Sequence, residues 1–236
     1  MENRKELHDA FQAGRVLLVD KPLQWTSFDV VNKIKALLRY RLGVKKIRIG
    51  HAGTLDPLAT GLLIICTGKA TKQIEKYQAF DKVYTGTFFL GKTTPSYDLE
   101  TDPENPKPVT HITPEQLHHT ARAFTGPQQQ VPPLYSAKKI EGERAYKHAR
   151  QGLQTKLKPN NIHIKRFEIT QVNLPEVGFS VTCSKGTYIR ALARDFGQHL
   201  GTGAHLSTLR RTDIGTFSVT DALQIAQLEA ALCNVK

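Results

Sequence analysis

Nineteen consecutive residues, Gly50-His51-Ala52-Gly53-Thr54-Leu55-Asp56-Pro57-Leu58-Ala59-Thr60-Gly61-Leu62-Leu63-Ile64-Ile65-Cys66-Thr67-Gly68, constrain the fold more than any other part of the chain. The apolar run Leu62–Cys66, bounded by Gly61 and Gly68, suits an interior strand that the rest of the chain must cover. Ahead of it, Pro57 steers Asp56 out of the α region toward an extended conformation. Gly50, Gly53 and Gly61 permit backbone shapes or close approaches that a Cβ would block. An isolated Asp-Pro reads simply as a turn before a strand. The full string delivers one carboxylate on a stiff turn beside a histidine, which is a mount for a reactive group.

With 236 residues, 39% of them hydrophobic, the chain can bury a full core as one large domain. It contains no apolar run of about 18 residues, and Met1-Glu2-Asn3-Arg4-Lys5-Glu6 leads into no signal-type core, so a cytoplasmic protein off the membrane is expected. Cys66, Cys183 and Cys233 are scattered, and the histidines show no metal-ligand spacing, so neither disulfides nor a metal are expected. Lys and Arg number 33 against 21 Asp and Glu, a net charge of +12 that favours a polyanionic partner, with nucleic acid the first candidate. The excess is spread over Arg39-Tyr40-Arg41, Lys45-Lys46-Ile47-Arg48, Lys138-Lys139 and Arg210-Arg211, which fits a surface tracking a phosphate backbone better than a basic tail.

Residues 1–14 are polar and read as a flexible N-terminal segment, followed by one domain over 15–236. Arg15–Val19 reads as a buried strand ending at Asp20-Lys21-Pro22, and a helix then starts at an N-cap Ser27 with Val30, Ile34, Leu37 and Leu38 on one apolar stripe. A helix near 70–80, a strand near 82–90 and a proline-rich loop over 93–110 follow. Thr113-Pro114-Glu115-Gln116 carries an N-cap, a proline at the first helical position and a capping-box Gln, starting a helix to about Phe124. Residues 126–152 read as a protruding loop-and-helix excursion, with 144–150 helical. Strands near 162–170 and 179–183, a helix near 188–200 capped by Gly201 and a helix after Thr220 complete the chain. The irregular order of strands and helices favours an α+β mixed sheet over a doubly wound parallel one.

Gly61 to Gly68-Lys69 is only superficially a phosphate-binding loop: six residues separate the glycines, the interval is apolar strand, and Ala70 stands where Ser or Thr is needed. No Gly-x-Gly-x-x-Gly fingerprint occurs, so no nucleotide cofactor is indicated.

Five separated blocks give the chain a specific resemblance: Asp20-Lys21-Pro22, Gly50–Gly61 with its continuation to Lys72, Lys82-Val83-Tyr84, Pro132-Pro133-Leu134-Tyr135-Ser136-Ala137-Lys138-Lys139, and Ser184-Lys185-Gly186-Thr187-Tyr188-Ile189-Arg190. Gly203-Ala204-His205-Leu206 with Leu209-Arg210-Arg211 adds a sixth. In order and spacing, from about residue 15 to 215, the chain resembles the bacterial TruB-type tRNA pseudouridine synthases. The resemblance implies the α+β pseudouridine-synthase catalytic fold, a central mixed, mainly antiparallel sheet flanked by helices and loops. It also implies isomerisation of uridine 55 in the tRNA T loop with no cofactor or metal: the N-glycosidic bond is cut, the base rotates and a C–C bond forms.

Carried over residue by residue, the resemblance makes Asp56 the essential group, which attacks the nucleotide or assists departure of the base. Arg190 matches the arginine that pairs with it, and Asp98 falls where a second acid contacts that arginine. Tyr84 matches the tyrosine that stacks on the target base. His51 matches the residue filling the gap left by the extruded uridine, and Tyr188 and Leu209 match positions lining the uracil pocket. Lys21 resembles a lysine near the active site. The 126–152 excursion resembles an RNA-clasping insertion, with Lys138, Lys139, Arg144 and Lys147 toward phosphates and mobility expected without RNA. No appended C-terminal RNA-binding domain is expected, and the protein is expected to act as a monomer on the tRNA T arm. A tRNA-folding chaperone using the same basic cleft is the alternative from a different functional class.

Overall fold

The computed structural model describes residues 4–135, 139–140, 143–144 and 157–233. In chain order its elements are α1 (Arg4–Ala13), β1 (Val16–Lys21), α2 (Ser27–Leu42), β2 (Ile49–His51), β3 (Ala59–Thr67), α3 (Ile74–Ala79), β4 (Lys82–Leu90), α4 (Pro114–Ala123), β5 (Gly126–Gln130), β6 (Lys139–Ile140), β7 (Glu143–Arg144), β8 (Asn160–Asn173), β9 (Glu176–Cys183), α5 (Ile189–His199), β10 (Ala204–Ile214), β11 (Phe217–Ser218), β12 (Leu223–Gln224) and α6 (Ile225–Cys233). Short 3₁₀ turns occupy Gly68–Gln73 and Val219–Asp221. The chain forms two compact units, one of residues 1–83 with 210–236 and one of residues 84–209.

In the first unit β3 is the interior strand that its apolar run requires. It pairs antiparallel with β1, from Val16↔Cys66 to Lys21↔Gly61, and with β2, from Ile49↔Thr67 to His51↔Ile65. Its side chains alternate between two cores. Leu63 and Ile65 join Val19, Val30, Ile34, Leu38 and Leu228, whereas Leu62, Ile64 and Cys66 join Ala52, Tyr77 and Ile214. That double cover explains the unbroken hydrophobicity of Leu62–Cys66. The strand order is β12-β1-β3-β10, and the β1–β12 pair is parallel, so the sheet is mixed. Residues 4–13, expected to be flexible, instead form α1, because Leu7 and Phe11 lie one helical turn apart and both enter the core. Helix α2 starts one residue from its expected cap: Thr26, not Ser27, closes a capping box with Asp29.

The second unit orders its strands β10-β4-β9-β8-β5, with β8 and β9 antiparallel. Phe88 of β4 stacks on Phe179 of β9 with ring centroids 4.1 Å apart, and Phe167 and Phe196 pack around the pair. Helix α4 has the expected Thr113 cap with its Gln116 box. Gly126–Gln130, expected to open the 126–152 excursion, instead pair along β8 as an edge strand, a position that tolerates Pro127. Arg144, expected to open a helix, lies in the antiparallel β6–β7 pair with Lys139. Lys138, Lys147 and the rest of the expected helix to residue 150 lie outside the described residues. Strands and helices are interspersed without β-α-β alternation, an α+β arrangement around a mixed, mainly antiparallel sheet.

Candidate active site

Within the first unit, Asp56 sits in the turn joining β2 to β3, and side chains from three other segments hold the backbone around it. Ser27, placed by the Thr26–Asp29 box at the start of α2, accepts from the Leu55 amide at 2.8 Å and donates to the Leu55 carbonyl at 3.2 Å. Lys21, fully buried at the end of β1, donates through Nζ to the carbonyls of Pro22 (2.9 Å), Trp25 (2.6 Å) and Pro57 (3.4 Å). The Gln24 amide donates to the same Pro57 carbonyl at 2.8 Å, and the Ala59 amide closes the turn onto the Asp56 carbonyl at 3.0 Å. From β10, Arg211 donates to the carbonyls of Gly53 and Leu62. Gly53 and Gly61 both adopt positive φ, +98° and +105°.

The electrostatics of this half follow from burial. Lys21 is lowered to about 8, first because burial penalises its charge; the Asp56 carboxylate opposes that effect and the Arg211 charge adds to it. His51 is held below the usual imidazole range by burial and then by Arg211, against a backbone hydrogen bond with Gly53. Its imidazole is therefore biased toward the neutral form, suited to stacking more than to acting as a cation.

The second unit carries the other matched residues. Arg190, in the first turn of α5, and Asp98, in the 93–110 loop, are each only 4% exposed, with Arg190 Nε 3.6 Å from Asp98 Oδ2. Arg190 Nη1 also donates to the Ser96 carbonyl at 3.3 Å. The Asp98 carbonyl in turn accepts from the hydroxyls of Thr94 (2.6 Å) and Ser96 (3.1 Å), which shapes the loop around the pair. Tyr188 is fixed by Gln130, whose side-chain oxygen accepts from the Tyr188 amide at 2.8 Å while its nitrogen donates to the Tyr188 carbonyl at 3.1 Å. Tyr84 is buried in β4, and Leu209 is half-buried in β10.

The structure thus groups Lys21, His51 and Asp56 in one unit and Arg190, Asp98, Tyr84, Tyr188 and Leu209 in the other. Sequence reasoning missed Arg211, Ser27 and Gln130 as residues that hold the backbone beside Asp56 and Tyr188. Arg211 stood in the last matched block, but a charged residue carries no local sign that it will be buried. Among the described residues no group of His, Cys, Asp and Glu could hold a metal ion, and no helix is long and apolar enough to cross a membrane.

Comparison with known proteins bears on what this arrangement does. The family model described as TruB family pseudouridylate synthase (N terminal domain) matches residues 39–189. The chain belongs to the TruB family of pseudouridylate synthases. A second family model, the tRNA pseudouridylate synthase B C-terminal domain, matches residues 190–236, so the family's own division falls at Arg190. The chain is 52% identical over 225 residues to tRNA pseudouridine synthase B of Flavobacterium johnsoniae, covering 95% of this chain and 98% of the relative. It is 53% identical to the protein of that name from Phocaeicola vulgatus, covering 91% of this chain and 92% of the relative. Among solved structures, a chain of a Cbf5-Nop10-Gar1 complex superposes with a TM-score of 0.72 at 26% identity, covering 98% of this chain and 58% of that one. A TruB-family chain of this kind is an isomerase.

Proposed function

We propose that this protein converts uridine 55 in the T loop of tRNA to pseudouridine, with Asp56 as the essential group, acting as a monomer in the cytoplasm. The observation that carries the reading is the Asp56 turn, whose flanking backbone is held by Ser27, Lys21 and Arg211 in a chain about half identical to proteins named tRNA pseudouridine synthase B. The reaction moves C1′ of the ribose from N1 to C5 of the same base; C5 gives up a proton to solvent and the freed N1 takes one up. Nothing is added or removed overall, so neither an oxidant nor a cofactor enters. A carboxylate serves this chemistry either as the nucleophile or as a partner for positive charge developing at the sugar or base.

The uridine must leave the RNA stack to reach the turn. In the proposed roles Arg190, steadied by Asp98, pairs with Asp56; Tyr84 stacks on the flipped base; Tyr188 and Leu209 bound the uracil; and His51 occupies the vacated place in the loop. A ring replacing a base in the stack contributes about 1–3 kcal/mol. Lys21 holds the backbone beside Asp56, and the net charge of +12 supplies attraction for the phosphates. A folding chaperone on the same basic surface would have no use for the reactive turn.

The test uses tRNA carrying 5-tritiated uridine. Asp56→Asn keeps the shape of the side chain, so it is expected to bind tRNA as the parent does while releasing no tritium. Near-parental release by Asp56→Asn would sink the mechanism.

A further inference from the structure

The side chain of Arg211 is 1% exposed, and its guanidinium fork donates from Nε to the Leu62 carbonyl at 2.8 Å and from Nη2 to the Gly53 carbonyl at 3.1 Å. Those two carbonyls belong to the backbone entering and leaving the Asp56 turn. The strand carrying Arg211 is pressed against the same segment: a Cβ on Gly61 would lie 2.2 Å from the Arg211 carbonyl oxygen and 2.8 Å from its amide nitrogen. A glycine is therefore required for β10 to approach closely enough for the fork to reach across. Burying a full charge is costly, and an apolar side chain of similar length would fill the same space without that cost. What the apolar side chain lacks is any donor, and what a lysine lacks is a rigid planar fork whose N–H groups are fixed apart, since its ammonium is a single point.

We propose that Arg211 is a positioning residue for the reaction at Asp56, tying the two ends of the aspartate turn into one rigid frame. The inference rests on the reading that Asp56 reacts with the flipped uridine. Lys21 and Ser27 hold the middle of the turn, at Pro57 and Leu55; Arg211 holds its two ends, at Gly53 and Leu62. Its positive charge also adds to the lowering of Lys21 and of His51, after burial. The residue therefore fixes the backbone frame in which the carboxylate sits. Reactions of bound substrates are sensitive to placement: a displacement of about 1 Å can cost on the order of 100-fold in rate.

The test compares the full-length parent with Arg211→Lys and Arg211→Met, reading single-turnover pseudouridine formation at saturating tRNA, tRNA affinity by filter binding, and hydrogen exchange of residues 52–62 against α2. Arg211→Lys keeps the charge but loses the planar fork, so its rate is expected to fall about 10-fold, and that of Arg211→Met about 100-fold, with tRNA affinity within about threefold of the parent. Exchange over residues 52–62 accelerates in both while α2 is unchanged. Should Arg211→Met fail to fold, Arg211→Lys decides alone. A rate for Arg211→Lys within about twofold of the parent, an equal loss of affinity and rate, or unchanged exchange over 52–62 overturns the proposal. A parent that makes no pseudouridine instead refutes the functional reading, and the exchange comparison then still decides whether the frame exists.

Discussion

Replacing Gly61 by alanine isolates the energetic consequence of bringing β10 against the aspartate turn. The added Cβ meets the Arg211 carbonyl oxygen at 2.2 Å, the amide nitrogen at 2.8 Å and the carbonyl carbon at 2.9 Å, all backbone atoms with no rotamer to retreat into. Overpacking of that kind costs about 1–3 kcal/mol. Holding a non-glycine residue at φ +105° adds about 1–3 kcal/mol, for a total of about 4 kcal/mol. Gly43, in the same unit, is the matched control: its φ is +73°, but its added Cβ would meet only Arg4 Nη2 at 3.9 Å, an ordinary contact. Gly43→Ala should therefore show backbone strain alone, about 1–2 kcal/mol. Urea unfolding followed by fluorescence of Trp25, the single tryptophan, reports on the core of this unit. With a slope of about 3 kcal/mol/M, Gly61→Ala should unfold roughly 1 M earlier than Gly43→Ala. Midpoints for the two variants within about 0.3 M of each other at equal slopes would refute the close approach on which the argument depends.

Two further outcomes follow from buried charges. Lys21 titrates near 8 in the folded chain against an ordinary 10.5, so between those values the unfolded chain binds more protons and stability rises with pH. The penalty is fully present below the folded value. Unfolding measured at pH 7.5 and 9.5 should show the parent gaining about 2 kcal/mol that Lys21→Met does not gain; parallel pH profiles would contradict the assignment. Removing the carboxylate in Asp98→Ala takes away one buried ion pair of Arg190 and should cost about 3 kcal/mol, lowering the melting temperature by roughly 6–12 °C in calorimetry. A shift under about 2 °C would show that the remaining contacts of Arg190 suffice without Asp98.

Where local codes operate, the sequence was readable. The Thr113-Pro114-Glu115-Gln116 cap announced α4, and the glycine-bounded apolar run announced β3 with cores on both faces. The displaced cap of α2 is instructive: Thr26 and Ser27 both offer a hydroxyl, and the one left over, Ser27, is recruited to hold Leu55. Strand β10 escaped notice because its burial does not alternate and it carries Arg210-Arg211, which composition alone assigns to a solvated face. Arg211 is buried where Gly53 and Leu62, distant in sequence, present carbonyls to it. Helix α1 was equally hidden, since Leu7 and Phe11 are a short apolar signal in a polar decapeptide. The aspartate turn was legible from its glycines and Pro57; the residues that hold it were not, because they come from other strands and helices.

The way the aspartate turn is secured bears on how freely evolution or an engineer can alter it. Its carbonyls and amides are matched to donors and acceptors on β1, α2 and β10 at 2.8–3.4 Å. One residue inserted between Gly53 and Leu62 would advance the chain by roughly 3.3 Å, several times the tolerance of those bonds. Insertions and deletions should therefore be excluded from this turn even where point substitutions on its exposed side are accepted. Transplanting residues 53–62 onto another scaffold would carry over the carboxylate but leave behind Lys21, Ser27 and Arg211, which hold its backbone.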